Sequence, residues 1–127
     1  MQTTKLVSLA AAVTATGLAG WMGIMRFFPE YGGVRPEHVN RWLIVDGIEF
    51  TTLAGSASTA HRRPRRSRGW ALGAATVIAG DALADVSTSR SGHERRQAVL
   101  MAALVEVPCS LGLGSWALIR GRNSDQR

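Results

Sequence analysis

Hydrophobic residues are concentrated in four blocks along this chain, and short polar segments rich in arginine separate the blocks. The blocks cover approximately residues 6–28, 42–60, 70–89 and 98–119. A helix needs about 20 consecutive, mostly apolar residues to cross the hydrocarbon core of a bilayer. The first block reaches that length without an acidic residue, whereas Asp46 and Glu49 make the second only marginally apolar. The pattern predicts an all-α fold, a four-transmembrane-helix bundle that forms a single domain over residues 1–127.

A signal peptide is the alternative interpretation of the first block, because Lys5 precedes an alanine-rich run. The apolar core of such a peptide is about 7–15 residues long. In this chain the apolar stretch continues through Trp21 and Met25 to Phe28. The length therefore favours a retained span over a cleaved peptide.

The distribution of basic residues predicts the orientation, since lysine and arginine favour cytoplasmic loops. Segment 61–69, with the sequence HRRPRRSRG, contains five arginines. Lys5 and the three arginines of the C-terminal tail are predicted on the same side of the membrane, which gives that side nine basic residues. The opposite side has six. We therefore expect a multi-pass protein of the cell membrane with both termini in the cytoplasm.

Five of the nine acidic residues fall inside the predicted spans: Asp46, Glu49, Asp81, Asp85 and Glu106. An intramembrane charge costs about 3 kcal/mol even on the most lenient scale, so each needs compensation or a function. At about 1.5 Å of rise per residue, all five lie about 6–12 Å from the span ends in the half of the membrane away from segment 61–69. Acids three or four residues apart share one helical face. We expect one acidic pocket that opens on the face opposite segment 61–69.

Carboxylates this close cannot all be ionised in a low dielectric, so we expect at least one to stay protonated and to serve as a general acid. The candidate counter-ions are Arg26, Arg35 and Arg41, of which Arg26 is the best placed. Pro108 removes one helical hydrogen bond and is expected to widen the cavity. A purely structural role remains the alternative: interhelical hydrogen bonding for the deeper acids, and snorkelling or capping for the two nearest the interface.

Charge, cysteine content and histidine spacing exclude several other classes of function. A net charge of +6 and a pI of about 11.2 would suggest a nucleic-acid partner in a soluble protein. Here the arginines lie between apolar blocks and no aromatic or glycine-rich recognition module accompanies them, so we expect no nucleic acid. The single Cys109 excludes an intramolecular disulfide. His38, His61 and His93 lie far apart in predicted loops, and we expect neither a resident metal nor another cofactor.

One part of the sequence resembles a known group of proteins. Residues 81–89, DALADVSTS, followed by Glu106-Val107-Pro108, resemble small four-span integral membrane proteins of high-GC actinobacteria. Among these are membrane-bound terpene cyclases that act on epoxidised meroterpenoids such as prenylated indoles. The resemblance covers the second to fourth spans, and the use of 14 arginines against one lysine suits such a genome.

The resemblance implies that an intramembrane carboxyl group protonates an epoxide or alkene and that a carbocation cascade follows in an apolar cavity. It implies Glu49, Asp81 and Glu106 as candidate acids, with Asp46 and Asp85 tuning the acid or stabilising the cation. The chain departs from this expectation in having few aromatic residues. Stabilisation of the cation by aromatic faces would rest on Trp21, Phe27, Phe28 and Phe50.

Our leading hypothesis is a membrane enzyme that uses these carboxyl groups on a lipophilic small molecule, surrounded by membrane lipids. A proton-coupled transporter is one alternative, and a four-span transporter would have to form a homo-oligomer. A non-catalytic subunit, whose acids pair with basic residues of another protein, is a second alternative. A divalent-metal site for a diphosphate is a third, although neither acidic pair has a DDxxD-like cluster.

Overall fold

The computed structural model describes residues 2–32, 36–60, 62–90 and 92–124, and this part of the chain is helical without strands. The five principal helices are α1 (Gln2–Phe27), α2 (Val39–Thr59), α3 (Pro64–Thr88), α4 (Gly92–Met101) and α5 (Val107–Ser124). A π-helical segment, Ala102–Glu106, joins α4 to α5, so that the last two form one continuous helix. Short helical turns at Pro29–Gly32 and Pro36–His38 lie between α1 and α2.

Each hydrophobic block coincides with one long helix, which confirms the all-α prediction. The helices extend beyond the blocks because polar residues continue them. Pro64 begins α3 well inside the arginine-rich segment, at a position where its missing N–H needs no partner. His93 lies in α4 and not in a loop, which corrects the prediction. His38 ends a 3₁₀ turn, and His61 lies outside the described residues.

Helices that follow one another along the chain pack together: α1 on α2, α2 on α3, and α3 on α5. Their shared core is made largely of small side chains. It consists of Ala11, Ala15, Leu53, Ala71, Ala74, Ala75, Ile78, Leu113, Trp116 and Ala117. Small residues allow helix backbones to approach closely, which is how helices associate where lipid leaves no hydrophobic driving force between them.

A side chain of α3 lies very close to the backbone of α2 at Gly55. A Cβ atom at this position would lie 2.5–2.9 Å from three ring carbons of Trp70. Real Cβ atoms do not come that near to a ring, so the Trp70 ring can lie against α2 only because residue 55 is glycine. A looser contact of the same kind occurs farther along, where a Cβ at Gly73 would meet Thr52 at 3.7 Å.

The outer surface of the bundle is strongly apolar. Leu6, Leu9, Val13, Ile44, Leu83 and Leu104 are each between 63% and 71% exposed. Two helical stretches have the length and hydropathy to cross a membrane, Gln2–Phe27 with a mean hydropathy of 1.5 and Arg95–Arg120 with 1.7. Among the described helices, α2 and α3 do not meet this criterion. By hydropathy alone, two of the four predicted spans are supported.

Candidate functional site: a carboxyl cluster

The five acidic residues of the predicted spans lie together. Asp46, Glu49 and Asp81 each place a carboxylate oxygen within 4.8 Å of the other two, and Asp81, Asp85 and Glu106 do the same. Asp81 belongs to both groups, so the five form one continuous carboxyl cluster, with an inner triad (Asp46, Glu49, Asp81) and an outer triad (Asp81, Asp85, Glu106). The prediction that these acids meet at one level is confirmed, and their catalytic role stays a prediction.

The inner acids lie on the same helical stripe as the protein core. The buried residues of α2 are Asp46, Glu49, Leu53 and Ser56, which follow one another at intervals of three or four residues. This interval keeps them on one face of the helix, the face that packs against its neighbours. Asp46 is 6% exposed and Glu49 is 8% exposed. The helix pattern that buries Leu53 therefore also buries two carboxyl groups.

Glu106 reaches the cluster from an irregular part of its helix. The N–H of Val107 donates to the carbonyl of Ala102, five residues earlier, which defines a π-helical turn. Pro108 follows at once; it has no N–H to donate, and its ring clashes with the carbonyl of Leu104 in a regular α-helix. The wider turn relieves that clash and changes the direction in which Glu106 points. Pro108 was the sequence signal, although the π turn itself was not predicted.

Several buried oxygens of the cluster lack a hydrogen-bond partner. They are Oδ2 of Asp46, Oε1 of Glu49 and Oε2 of Glu106. Burial removes the water that would otherwise solvate these oxygens, and each ionised neighbour opposes the ionisation of the next. The arrangement thus calls for protons or for a cation between the carboxyl groups.

The two predicted counter-ions within the described residues do not supply that positive charge. Arg26 and Arg41 are exposed, and Arg35 lies outside the described residues. Within the described part of the chain, no lysine, arginine or histidine forms an ion pair with Asp46, Glu49, Asp81 or Glu106. Neutralisation of the cluster by Arg26, as the sequence suggested, is therefore wrong.

The four aromatic residues expected to line a cavity lie on the outer surface instead. Trp21 and Phe50 are 37% and 36% exposed, and Phe27 and Phe28 are 74% and 54% exposed. Their rings point away from the packed faces of α1 and α2, because the inward positions are occupied by smaller residues and by Met25. Stabilisation of a cation at the cluster would have to come from the carboxylates themselves.

An open groove of about 440 Å³ lies between α3 and α5, away from the cluster. Its lining is mostly aliphatic, with hydroxyl groups from Thr76, Ser110 and Ser115. The Ser110 hydroxyl donates to the carbonyl of Ala75 at 2.7 Å, and that of Thr76 donates to the carbonyl of Leu72 at 2.9 Å. None of the five acids lines this groove. The groove is therefore an apolar surface feature, and two of the hydroxyl groups at its border already donate to backbone carbonyls.

Polar contacts between helices stabilise the arginine-rich end of the bundle. Arg120 lies over the ring of Trp116, 5.3 Å from its centre, and also donates to the Thr4 hydroxyl of α1. Arg68 donates to the carbonyl of Ala117 at 3.1 Å. Ser67 donates to the carbonyl of Ser56 at 3.3 Å. These contacts connect all four long helices at the end farthest from the carboxyl cluster.

No protein-family model, curated protein or solved structure matches this chain.

Proposed function

We propose that all four long helices cross the membrane. The two helices that fail the hydropathy criterion, α2 and α3, carry their acids on inward faces and large apolar side chains on outward faces. Ile44 and Ile48 are 66% and 48% exposed on α2, and Leu83 is 71% exposed on α3. The 21 residues of α2 extend about 32 Å at 1.5 Å per residue, enough for a hydrocarbon core of about 30 Å. Both helices pack beside a stretch that does meet the criterion.

Within this bundle, the function that the site supports best is acid catalysis on a lipophilic substrate. The observation that carries this proposal is the convergence of five carboxyl groups, four of which contact no cation among the described residues. Such groups share protons, because full ionisation in a low dielectric is too costly. A protonated carboxyl group that is shielded from water acts as a general acid toward a substrate that enters from the lipid.

In its sharpest form, the reaction is the cyclisation of an epoxidised terpenoid or meroterpenoid. Glu49, Asp81 or Glu106 transfers a proton to the epoxide oxygen, and a carbon–oxygen bond breaks with its electron pair going to oxygen. The electron pair of a neighbouring alkene then closes a ring onto the electron-deficient carbon. The final carbocation loses a proton to a carboxylate of the cluster, which restores the acid. The product is an isomer of the substrate, and Asp46 and Asp85 tune the donor or stabilise the cation.

The test uses membranes that contain the full chain and a prenylated indole with a terminal epoxide. We expect a product of unchanged mass and altered chromatographic retention. Glu49→Gln, Asp81→Asn and Glu106→Gln, made singly, are expected to reduce its formation, whereas Glu30→Gln, at an exposed position, is the matched control. Full activity in all three cluster variants would refute acid catalysis by the cluster. Uptake that depends on a proton gradient, without any cyclised product, would favour the transporter alternative.

A further inference from the structure

The inner triad is compact enough for a single calcium ion to contact all three of its carboxyl groups. Ca²⁺ binds six to eight oxygens at about 2.3–2.6 Å, so two ligand oxygens on opposite sides of the ion are about 4.6–5.2 Å apart. The carboxylate oxygens of Asp46, Glu49 and Asp81 lie within 4.8 Å of one another. One ion could therefore contact all three side chains at the same time. Three carboxylates offer up to six oxygens, and water can complete the coordination sphere.

The burial of two of these carboxyl groups is a second observation that points to a ligand at this triad. Asp46 and Glu49 are more than nine-tenths buried, with exposures of 6% and 8%. Oδ2 of Asp46 and Oε1 of Glu49 are shielded from solvent and accept no hydrogen bond. A buried oxygen without a partner has lost its hydration without replacement, and the loss is larger for a charged oxygen. Two such oxygens belong to carboxyl groups that approach each other and Asp81 within 4.8 Å, and a cation there would complete the site.

We propose that the inner triad binds a hard divalent cation, preferentially Ca²⁺. The site in its protonated state is the acid considered above, and the site in its ionised state is a cation site. Binding of the cation displaces protons from the carboxyl groups to the solvent, as it does wherever ligands must be deprotonated. Cation binding as such requires no catalytic activity, so it can be tested independently of the proposed reaction.

Separations of at most 4.8 Å fit either ion, so the preference for Ca²⁺ over Mg²⁺ follows from the coordination chemistry of the two ions. Mg²⁺ requires ligands at about 2.0–2.1 Å in a near-ideal octahedron, which limits opposite oxygens to about 4.2 Å. The Mg²⁺ ion also gives up its water reluctantly. Contact with three carboxylates would require Mg²⁺ to release several of its waters, so we expect Mg²⁺ to bind more weakly than Ca²⁺.

Calorimetric titration of the purified full chain in detergent, after treatment with a chelator, tests the proposal. Titrations with CaCl₂ and with MgCl₂ in two buffers of different ionisation enthalpy report stoichiometry, affinity and the number of protons released. We expect one Ca²⁺ per chain, release of protons, an affinity that falls at lower pH, and weaker binding of Mg²⁺. Absence of Ca²⁺ binding would overturn the proposal.

Variants locate the site. Glu49→Gln and Asp81→Asn remove ligands and are expected to weaken binding at least about tenfold, since even the loss of an outer-shell partner costs that much. Glu106→Gln, outside the inner triad, and Glu30→Gln are expected to retain it. Circular dichroism checks that each variant is folded. Thermal unfolding supplies a second measurement of binding. Ca²⁺ should raise the melting temperature of the native chain and of Glu106→Gln, but not that of Asp81→Asn. Loss of binding in Glu106→Gln but not in Glu49→Gln would refute the inner assignment.

Discussion

Replacement of Asp81 by Asn is expected to lower the number of protons that the cluster holds at neutral pH. Two unit charges 4.8 Å apart repel each other by about 3.5 kcal/mol at an effective dielectric constant of about 20. A triad has three such pairs, so a fully ionised triad would lose about 10 kcal/mol, which is comparable to the whole free energy of folding of a typical protein. The cluster must therefore retain protons when no cation is bound. Asn at position 81 removes the one member common to both triads and leaves a single repelling pair in each.

Infrared spectroscopy detects these protons directly, because a protonated carboxyl group has a C=O stretch distinct from that of a carboxylate. We expect this band in the native chain at neutral pH in the presence of a chelator, a weaker band in Asp81→Asn, and an unchanged band in Glu30→Gln. Addition of Ca²⁺ should weaken the band of the native chain if the cation displaces protons. A native spectrum without the band, or one that is the same in Asp81→Asn, would refute the electrostatic argument.

Three further substitutions test the packing that forms the site. Gly55→Ala places a methyl group inside the Trp70 ring contact and is expected to destabilise the protein by about 1–3 kcal/mol in thermal unfolding, whereas Gly80→Ala, with no atom within 4 Å of the added Cβ, should be neutral or slightly stabilising. Pro108→Ala restores an N–H and should return the π turn to an α-helix, which rotates Glu106 by about 100° relative to α5. Circular dichroism should then show an intact fold, whereas formation of the cyclised product should decrease. Arg120→Ala loses an aromatic contact and a hydrogen bond and should lower the free energy of unfolding by about 1–2 kcal/mol, with Arg120→Lys in between.

The sequence was sufficient to predict the helices and the common level of the acids. Block length indicates a helix that can span a bilayer, and rise per residue fixes how far along the helix each acid lies. Both depend only on distance along the chain. The meeting of Glu49, Asp81 and Glu106 follows from these two quantities and from the alternating direction of consecutive helices.

The rotation of each helix about its own axis could not be predicted in the same way. For Asp46 the sequence leaves snorkelling or capping open beside a role in the site. The structure buries Asp46 more deeply than Asp81, because Asp46 shares the core stripe of α2 with Leu53. In α3, which is rich in small residues throughout, Ala75 and Ala82 are buried while Gly80 is exposed. Small residues that occur on every face of a helix do not indicate which face packs against a neighbouring helix. The shared position of Asp81 depends on this rotation and appears only in the structure.

The orientation of the chain in the membrane decides which ligand the cluster meets in a cell. The loop between α1 and α2 lies at the cluster end of the bundle, since α1 ends at Phe27 and α2 begins at Val39, seven residues before Asp46. Labelling of Glu37→Cys in intact cells with a membrane-impermeant maleimide, after Cys109→Ala removes the native thiol, reports the side on which this loop lies. The arginine distribution predicts labelling from outside the cell.

Calcium sites that work outside cells have dissociation constants of about 10⁻⁴–10⁻³ M, whereas cytosolic sensors work at about 10⁻⁷–10⁻⁵ M. A cluster that faces outward therefore needs only weak Ca²⁺ affinity to exchange protons for the cation. The same weak affinity on the cytosolic side would leave the cluster protonated and available as an acid at all times. External labelling together with a submillimolar dissociation constant would support control of the acid by Ca²⁺. Protection of Glu37→Cys from the external reagent, combined with such a weak affinity, would refute that control while leaving acid catalysis by the cluster intact.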